Sequence, residues 1–474
     1  MHTGRSGMKF RKCARTLICS GAVLAGMAFV QQAAGQTTVS GAFTNAELAN
    51  ERSGASSRKL IKPVFDTYYS QADGISLDEL VAKALASNGE IRIARLEADK
   101  ARARRFQAGS RRNPTLDVEQ AVGSFVGDSG EGAFTVGAAL PLDLYGVRVR
   151  RIQMAEADIA IREAEIAAQQ RAVVAKVLDS YSDALSVFRE LQVLEELLEL
   201  DTETARIVQI RVNEGETPPL ELNLLQAEVE RLRARRSLIE GRLQAALSRL
   251  SFLAGFPPTT PIRLKEDIST ARLPYLPASL ESGIASALNE RPEIRLALLE
   301  ESLAAAGLRL AKAQGKPELS ATTKFSYGRS VIDDPRGPFD QRDRSLSFGV
   351  SVSIPVFDRN QGAKAEAEIA IRQAQERKVF AEQIVKSEVA AAFRRVEASR
   401  KALNGLQNTV LPMSLKNIET VRKVYEIGEL KVTDLIAEQR RLLETNNDLT
   451  ETLTEFYKAQ ADLFIAVGLK FKDQ

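Results

Sequence analysis

The feature that most constrains this chain is a stretch from Val147 to Glu214 that contains neither glycine nor proline. As one α-helix of roughly 68 residues it would extend about 100 Å, several times the width of an ordinary globular domain. Apolar residues within it recur at alternating steps of four and three, which is the spacing of a coiled-coil seam. They are Val177, Tyr181, Ala184, Phe188 and Leu191. A helix this long needs packing partners along its whole length, so we expect the rest of the chain to supply them.

Residues 1–35 have the pattern of a secretory signal peptide. A basic segment without acidic residues precedes an apolar run from Leu17 to Val30, and Ala33-Ala34-Gly35 is a suitable cleavage site before Gln36. The alternative is a membrane anchor, which is disfavoured because the run is too short and wrongly flanked for a spanning helix. Cys19 is not preceded by the small residues that a lipid-attachment site needs.

Removal of this leader changes what the composition implies. The leader carries five positive charges and no negative ones, so the formal net charge of +3 becomes about −2 and gives no reason to expect nucleic acid as a partner. It also contains both cysteines and the single histidine. Since Met154 and Met413 are far apart in sequence, a soft-metal site is not expected either. We therefore expect no enzyme activity, no cofactor and no tightly bound metal ion.

The chain contains an internal duplication. A helix predicted from Ser76 to about Arg112 begins with a Ser-x-x-Glu capping box, and its counterpart begins at Ser279. The sequence ALASNGEIRIARLE, from Ala84, returns as ALNERPEIRLALLE, from Ala287. Similarity without gaps over about forty positions indicates two copies of one structural unit.

Each copy also contains two predicted β-strands, at about 115–123 and 133–142 in the first copy and at about 318–327 and 346–356 in the second. Apolar residues alternate with small or polar ones over about ten residues, which suits a tilted strand in an outer membrane. Taken alone, this pattern favours a half-buried hairpin in a water-soluble core. The leader and the very long helices reverse that preference.

A long helix follows the strands in each copy and ends at a glycine that suits a left-handed C-cap, Gly215 in the first copy and Gly428 in the second. The second long helix is predicted from about Gln361 to Ile427, with a bend near Pro412.

Return helices are predicted next, at about 220–253 and 434–467, with Thr217 and Thr433 as their N-caps. The predicted organisation is thus a signal peptide at 1–35, an N-terminal periplasmic arm at 36–74, a first repeat at 75–256, a linker at 257–277 and a second repeat at 278–470.

Four strands in one chain cannot lie in lipid alone, because the edges of their sheet would leave backbone groups unpaired. They must close with strands of other chains. Two chains would give eight strands and little lumen, whereas three chains would give twelve and could enclose a channel.

The order of helix, strand pair, long helix, glycine turn and return helix, written twice, resembles the TolC family of outer-membrane efflux ducts from about Ile75 to Leu469. PVFDRNQGAKAEAE, from Pro355, looks like the strand-to-helix junction of the family's heavy-metal branch, the CzcC-like and CusC-like components of resistance-nodulation-division systems. YEIGELKVTDLIAEQ, from Tyr425, looks like the family's periplasmic tip.

The resemblance implies a fold class that is mainly α with membrane β. It implies an internally duplicated tunnel of long coiled-coil helices with four β-strands per chain, closed as a twelve-stranded barrel in a homotrimer. Such a trimer would be a passive exit duct in the outer membrane that extends into the periplasm and exports small solutes, heavy-metal cations among them. Its partners would be a periplasmic adaptor (a membrane fusion protein) and an inner-membrane resistance-nodulation-division pump. Alternatives are a duct for type I protein secretion or drug export, and a soluble periplasmic coiled-coil adaptor.

The same resemblance places a gate at the periplasmic tip, around Gly215 and Gly428. Asp434 matches an acidic position that helps line the family's constriction, and Glu221 matches it in the first repeat. A further acidic position of the family is Ala437 here, so the acidic ring could be weaker. The alternative role for Asp434 is that of a first-turn residue favoured by the helix dipole.

Three residues near the strand ends are candidates for contact with outer-membrane lipid. Tyr145 and Phe357 suit an aromatic girdle. Arg148 follows a strand in the sequence RVRR and suits an interfacial anchor, with its apolar stem in the membrane and its guanidinium in water.

Overall fold

The computed structural model describes residues 65–122, 132–257, 260–271, 273, 276–332, 335–337, 339–469 and 471. The predicted signal peptide and most of the predicted arm lie outside the described residues. All described residues belong to one unit, residues 61–474.

Apart from a short helix at the start of the first half and a long helix that is divided in the second, the described elements follow one order in both halves of this unit. The first half comprises α1 (Phe65–Tyr68), α2 (Leu77–Ser87), α3 (Gly89–Ala108), β1 (Thr115–Val122), β2 (Gly132–Leu142), α4 (Val147–Asn213) and α5 (Pro219–Ala254). The second half comprises α6 (Leu280–Glu290), α7 (Pro292–Gln314), β3 (Glu318–Ile332), β4 (Phe339–Ser353), α8 (Gln361–Gly405), α9 (Leu411–Glu426) and α10 (Val432–Val467). The prediction of a fold that is mainly α with four strands per chain is confirmed.

The prediction of one continuous helix from Ser76 to Arg112 is wrong, because the chain leaves the helical conformation at Asn88 (φ −63°, ψ 134°). The Asn88 side chain accepts a hydrogen bond from the Glu90 N–H at 2.8 Å and donates to the Leu253 carbonyl at 3.1 Å. The side chain therefore caps α3 and ties the break to α5.

The second repeat breaks at the equivalent place, Arg291, which precedes Pro292 and is likewise extended (φ −70°, ψ 128°). The helical region is sterically disfavoured for a residue before proline. The N-cap Ser279, by contrast, lies where the sequence predicts it and accepts a hydrogen bond from Ser282 N–H.

The predicted N-caps of the return helices are also wrong. The caps are Pro218 and Lys431, not Thr217 and Thr433. Pro218 itself precedes a proline and is held extended (φ −64°, ψ 139°), so the first helical residue moves to Pro219.

The long helix of the first repeat is continuous from Val147 to Asn213, and its five predicted seam residues are buried. In the second repeat a π-helical turn at Leu406–Val410 separates α8 from α9. It ends two residues before Pro412, where the sequence predicts a bend. Proline removes one backbone donor and crowds the preceding turn, and the wider π turn relieves that crowding.

The four strands form one antiparallel sheet in the order β1-β2-β3-β4. Its register pairs apolar residues with apolar residues, as in Val118–Val136 and Phe325–Leu346, and places polar or small pairs such as Thr135–Ser326 between them. One face is therefore apolar and the other is polar or small.

The second hairpin of the sheet is longer than its alternation indicates. β3 continues to Ile332, beyond the predicted end at 327, and β4 begins at Phe339 rather than 346. Polar residues such as Arg342 and Asp343 pair through their backbones here, so the apolar alternation stops before the strands do. β4 ends at Ser353, not 356, because Pro355 has no N–H for the ladder.

The helices pack around a core formed by the α4 seam and the inner faces of α5 and α10. Tyr69 stacks on Phe188 of α4, with ring centroids 5.5 Å apart, and Tyr68 donates a hydrogen bond to Glu240 of α5 at 2.9 Å. Among the helices that the structure describes, none is both long and apolar enough to cross a membrane.

Candidate functional site

Two helical hairpins end in the glycine turns that the sequence singles out. The first tip hairpin is the end of α4, the turn at Gly215 and the start of α5. The second is α9, the turn at Gly428 and the start of α10. Both glycines have positive φ, 81° and 85°. In each turn the next N–H bonds back to the helix, Glu216 to the Arg211 carbonyl at 2.9 Å and Glu429 to that of Val424 at 3.2 Å. These are Schellman-type C-caps.

The two tip hairpins pack against each other through a small apolar cluster drawn from α4, α5, α9 and α10. The cluster comprises Val208, Leu222, Leu225, Tyr425, Val432, Leu435 and Ile436. Arg211 of the first hairpin also donates to the Glu426 carbonyl of the second at 3.5 Å. The chain thus brings the two turns to one end of the helical bundle.

Glu221 contacts the opposite hairpin. The phenol of Tyr425, which is 7% exposed, donates to Glu221 Oε2 at 3.5 Å. Burial and the neighbouring Glu221 carboxylate raise the pKa of Tyr425, so the phenol stays protonated and keeps its role as donor.

Asp434 has a different environment. Its side chain is exposed, and Oδ2 accepts a hydrogen bond from the Lys431 N–H at 3.2 Å. This contact caps the start of α10, where Asp434 lies in the first turn. The role of Asp434 and Glu221 as a gate stays a prediction.

A buried polar cluster between the hairpins does not figure among the sequence-predicted sites. Asp201 of α4 is 1% exposed, and its Oδ1 accepts a hydrogen bond from Gln439 Nε2 of α10 at 2.5 Å. Glu228 of α5 accepts from Arg440 of α10 at 2.7 Å and from Arg231 of its own helix. The sequence feature that could have indicated this cluster is Asp201 itself, an acidic residue at a seam position four residues after Leu197.

The two buried carboxyls of this cluster differ in their electrostatics. Burial, reinforced by the charge of Glu228, raises the pKa of Asp201 to about 7. Burial also disfavours ionisation of Glu228, but hydrogen bonds from Arg440 and Arg231 outweigh that effect and lower its pKa. Glu228 is therefore held as an anion, whereas Asp201 changes its protonation state near pH 7.

The predicted membrane-interface residues lie near the ends of the strands. Tyr145 is exposed, and Phe357 is 92% exposed. Arg148 donates from Nε to the Gly109 carbonyl at the end of α3, and its own N–H bonds to Asp143 at 2.8 Å. These contacts fix the side chain of Arg148 against the helix end, and its role as an anchor stays a prediction.

Within the residues that the structure describes, no group of three or more His, Cys, Asp or Glu side chains could hold a metal ion.

The described sheet has two edges that could pair with further strands. In the described sheet, β1 and β4 are terminal strands with one neighbour each, so one edge of each remains available for pairing.

Comparison with known proteins gives a consistent result. The family model "Outer membrane efflux protein" matches residues 80–256 and 283–469. The cation efflux system protein CusC of Escherichia coli K12 is 27% identical over 410 residues, which cover 82% of this chain and 85% of CusC. The cobalt-zinc-cadmium resistance protein CzcC of Cupriavidus metallidurans is 23% identical over 401 residues, 84% of this chain and 91% of CzcC. The solvent efflux pump outer membrane protein SrpC of Pseudomonas putida is 26% identical over 416 residues, 81% of this chain and 84% of SrpC.

Solved structures share the fold. A crystal structure of CusC has a TM-score of 0.69 at 22% identity and covers 86% of this chain and 94% of its own. The outer-membrane channel OprN has a TM-score of 0.65 at 20% identity, with 85% and 94% covered.

Proposed function

The chain belongs to the outer membrane efflux protein family, and from that premise we propose that three copies form one passive duct that delivers heavy-metal cations to the outside of the cell. The family match makes the protein an outer-membrane efflux channel. The number of subunits, the cargo and the partners are the proposed part.

The observation that supports a trimeric assembly is the described β-sheet. It has four strands, two terminal strands with an open edge, and one face on which large apolar side chains are exposed. A sheet in lipid must close on itself, and three such sheets give twelve strands, enough to surround a water-filled lumen. Pairing of β1 from one subunit with β4 of the next would leave no open edge.

The names of the relatives support metal cations as cargo, since CusC is a cation efflux protein and CzcC a cobalt-zinc-cadmium resistance protein. SrpC, a solvent efflux protein at similar identity, keeps organic solutes as the second candidate. Both are small solutes, and type I protein secretion is not favoured. A soluble periplasmic adaptor is not favoured, because the chain matches a family of outer-membrane proteins.

We place the duct's gate at the tip hairpins, with Glu221 and Asp434 as the acidic groups near its axis. The Tyr425–Glu221 contact supports this, because it joins the two hairpins that would have to separate for the mouth to widen. A periplasmic adaptor and an inner-membrane pump would dock from that side and supply the energy, since a passive duct has none of its own.

The test has two arms. Native mass measurement of the detergent-solubilised protein should give a trimer, and a stable monomer in plain buffer would contradict the duct. Cells that lack this protein but keep its genomic neighbours should become sensitive to zinc, copper or cobalt and regain tolerance from a plasmid copy. If the two strains differ in their tolerance of organic solvents but not of metal ions, the cargo is solvent rather than metal.

A further inference from the structure

Asp201 and Gln439 join the two tip hairpins about four helical turns before the Gly215 turn. The contact is buried and connects α4 of the first repeat to α10 of the second. It leaves two oxygens without a hydrogen-bond partner, Asp201 Oδ2 and Gln439 Oε1. A buried acceptor without a hydrogen-bond partner costs free energy. A contact that leaves one such oxygen on Asp201 and another on Gln439 therefore needs an explanation.

A single proton on Asp201 Oδ2 would give both of these oxygens a place in a hydrogen bond. A carboxylic acid and a primary amide can form a closed ring of two hydrogen bonds, in which the amide N–H donates to the carboxyl C=O and the acid O–H donates to the amide C=O. The first of these bonds is present, from Gln439 Nε2 to Asp201 Oδ1. A proton on Oδ2 would supply the second, because Gln439 Oε1 belongs to the same amide. An ionised Asp201 has no proton to give and leaves both oxygens unpaired.

The surrounding groups give the ionised form little help. On α5, Glu228 faces Asp201 with a like charge and Arg231 with an opposite one. Arg231 already bonds to Glu228, as does Arg440 of α10.

The nearby charges of α9 are also paired. Arg422 and Glu426 line the small cavity beside Gln439 and form an ion pair with each other at 3.0 Å. Arg211 of α4 also lines this cavity and donates to the Glu426 carbonyl at 3.5 Å. Each of these arginines therefore has another hydrogen-bond or ion-pair partner, and Gln439 is the group that bonds to the Asp201 carboxyl.

We propose that Asp201 and Gln439 form a proton-dependent latch, which holds the two tip hairpins together when Asp201 is protonated and loosens them when it ionises. This inference rests on the proposed function, since it assigns a form of regulation to the proposed tip gate. Ionisation places a charge in a site with no spare donor, so water must enter or α10 must move away from α4. The duct should then open more readily on the alkaline side of neutrality.

The pKa of Asp201, about 7, sets the range in which the latch responds. Its ionised fraction would rise from about one tenth at pH 6 to about nine tenths at pH 8. In planar bilayers the open probability of the wild-type duct should rise severalfold over this range.

The key variant is Asp201→Asn, because asparagine is isosteric with the protonated acid and can make both hydrogen bonds of the ring. The variant should assemble like the wild type and keep the low open probability of pH 6 at pH 8. The matched control is Glu203→Gln on the same helix, whose carboxylate is exposed and pairs with Arg206 at 2.6 Å. The control should retain the wild-type pH response.

A second readout does not depend on channel activity. Difference infrared spectra of detergent-solubilised protein between pH 6 and pH 8 should contain a protonated-carboxyl band in the wild type and in Glu203→Gln that is missing in Asp201→Asn. Absence of that band in the wild type would overturn the latch, as would a pH response that survives in Asp201→Asn or failure of this isosteric variant to fold. Protein that shows the band but forms no pores at any pH would instead contradict the proposed duct.

Discussion

Arg171 of α4 and Glu293 of α7 form an ion pair that joins the two repeats, in which the single nitrogen Nη1 of Arg171 lies 2.7 Å and 2.5 Å from the two carboxylate oxygens. Arg171 also donates to the Ile465 carbonyl near the end of α10, at 2.6 Å. Glu90, the counterpart of Glu293 in the first repeat, binds Lys176 of the same long helix at 2.8 Å. The duplication has therefore placed an acid from each repeat against α4.

The two ion pairs should differ in energy because they differ in exposure. The Arg171 side chain is 13% exposed and burial lowers its pKa, whereas the Lys176 side chain is 49% exposed. The two glutamates are alike, with Glu293 42% and Glu90 46% exposed. We expect Arg171→Ala to destabilise the protein by about 1.5–3 kcal/mol, because it removes the hydrogen bonds of a buried guanidinium to Glu293 and to the Ile465 carbonyl, and the control Lys176→Ala by less than about 1 kcal/mol. Thermal unfolding of both variants in the same detergent measures the difference. Equal effects would show that burial of the Arg171 guanidinium does not strengthen its contribution to stability.

Asp201 should make stability depend on pH. Its folded-state pKa is raised from 3.8 to about 7, so its contribution is complete below pH 4 and is lost as the pH rises through 7. The loss could reach about 4 kcal/mol as an upper bound. Melting temperatures of the wild type should therefore fall between pH 5 and pH 8 more steeply than those of Asp201→Asn. Parallel curves for the two proteins would contradict this assignment.

The tip glycines should resist substitution for conformational reasons alone. A Cβ atom at Gly428 would meet no heavy atom within 4 Å beyond its own residue and its chain neighbours, but the residue has φ 85°. We expect Gly428→Ala to cost about 1–2 kcal/mol and Gly428→Val to damage the turn further. Gly241 is the control, because it lies inside α5 with equally open surroundings.

At this control position, Gly241→Ala should stabilise the helix by up to about 1 kcal/mol. Helix content and melting temperature compare the two alanine variants. If both substitutions destabilise equally, the left-handed turn is not the cause.

The two faces of β4 should respond differently to charge. Phe348 is 78% exposed on the apolar face, and its neighbour Ser347 lies on the polar face, where it bonds to the Lys324 carbonyl. Phe348→Asp should impair outer-membrane assembly, because a carboxylate in hydrocarbon is costly. Ser347→Asp should assemble normally. Membrane fractionation and trimer yield measure both variants, and the reverse order would mean that the faces are assigned the wrong way round.

Features set by local periodicity could be predicted from the sequence. The α4 seam and the glycine turns each depend on neighbouring residues in the chain, and the duplication is visible as the return of one segment. The break at Asn88 was missed because the apolar pattern continues through it, while the capping bond and the contact with Leu253 that stabilise the break depend on the asparagine amide. The ends of β3 and β4 were missed because backbone pairing continues among polar residues.

The Asp201 cluster shows where sequence reasoning reaches its limit. An acid on a buried seam can be noticed, but its meaning depends on Gln439, 238 residues away. Only the packing of α10 against α4 brings the amide to the acid. Asp434, in contrast, was singled out by position, and the structure adds a capping bond that any test of the gate must preserve.

The acidic gate can be tested by removing charge while keeping each hydrogen bond. Asp434→Asn retains an oxygen for the Lys431 N–H, and Glu221→Gln retains one for the Tyr425 phenol. In a trimer the double variant removes six negative charges from the proposed mouth, and like charges gathered in a narrow ring favour cations. Divalent cations added from the periplasmic side should block the wild-type duct in planar bilayers and should block the double variant less, with cation selectivity reduced in parallel. Tyr425→Phe is the complementary variant, because it breaks the contact between the hairpins without changing charge and should raise the open probability while leaving selectivity intact. If divalent block and selectivity are the same in the double variant as in the wild type, these carboxylates do not line the gate, and the constriction must be formed by other residues of the tip hairpins.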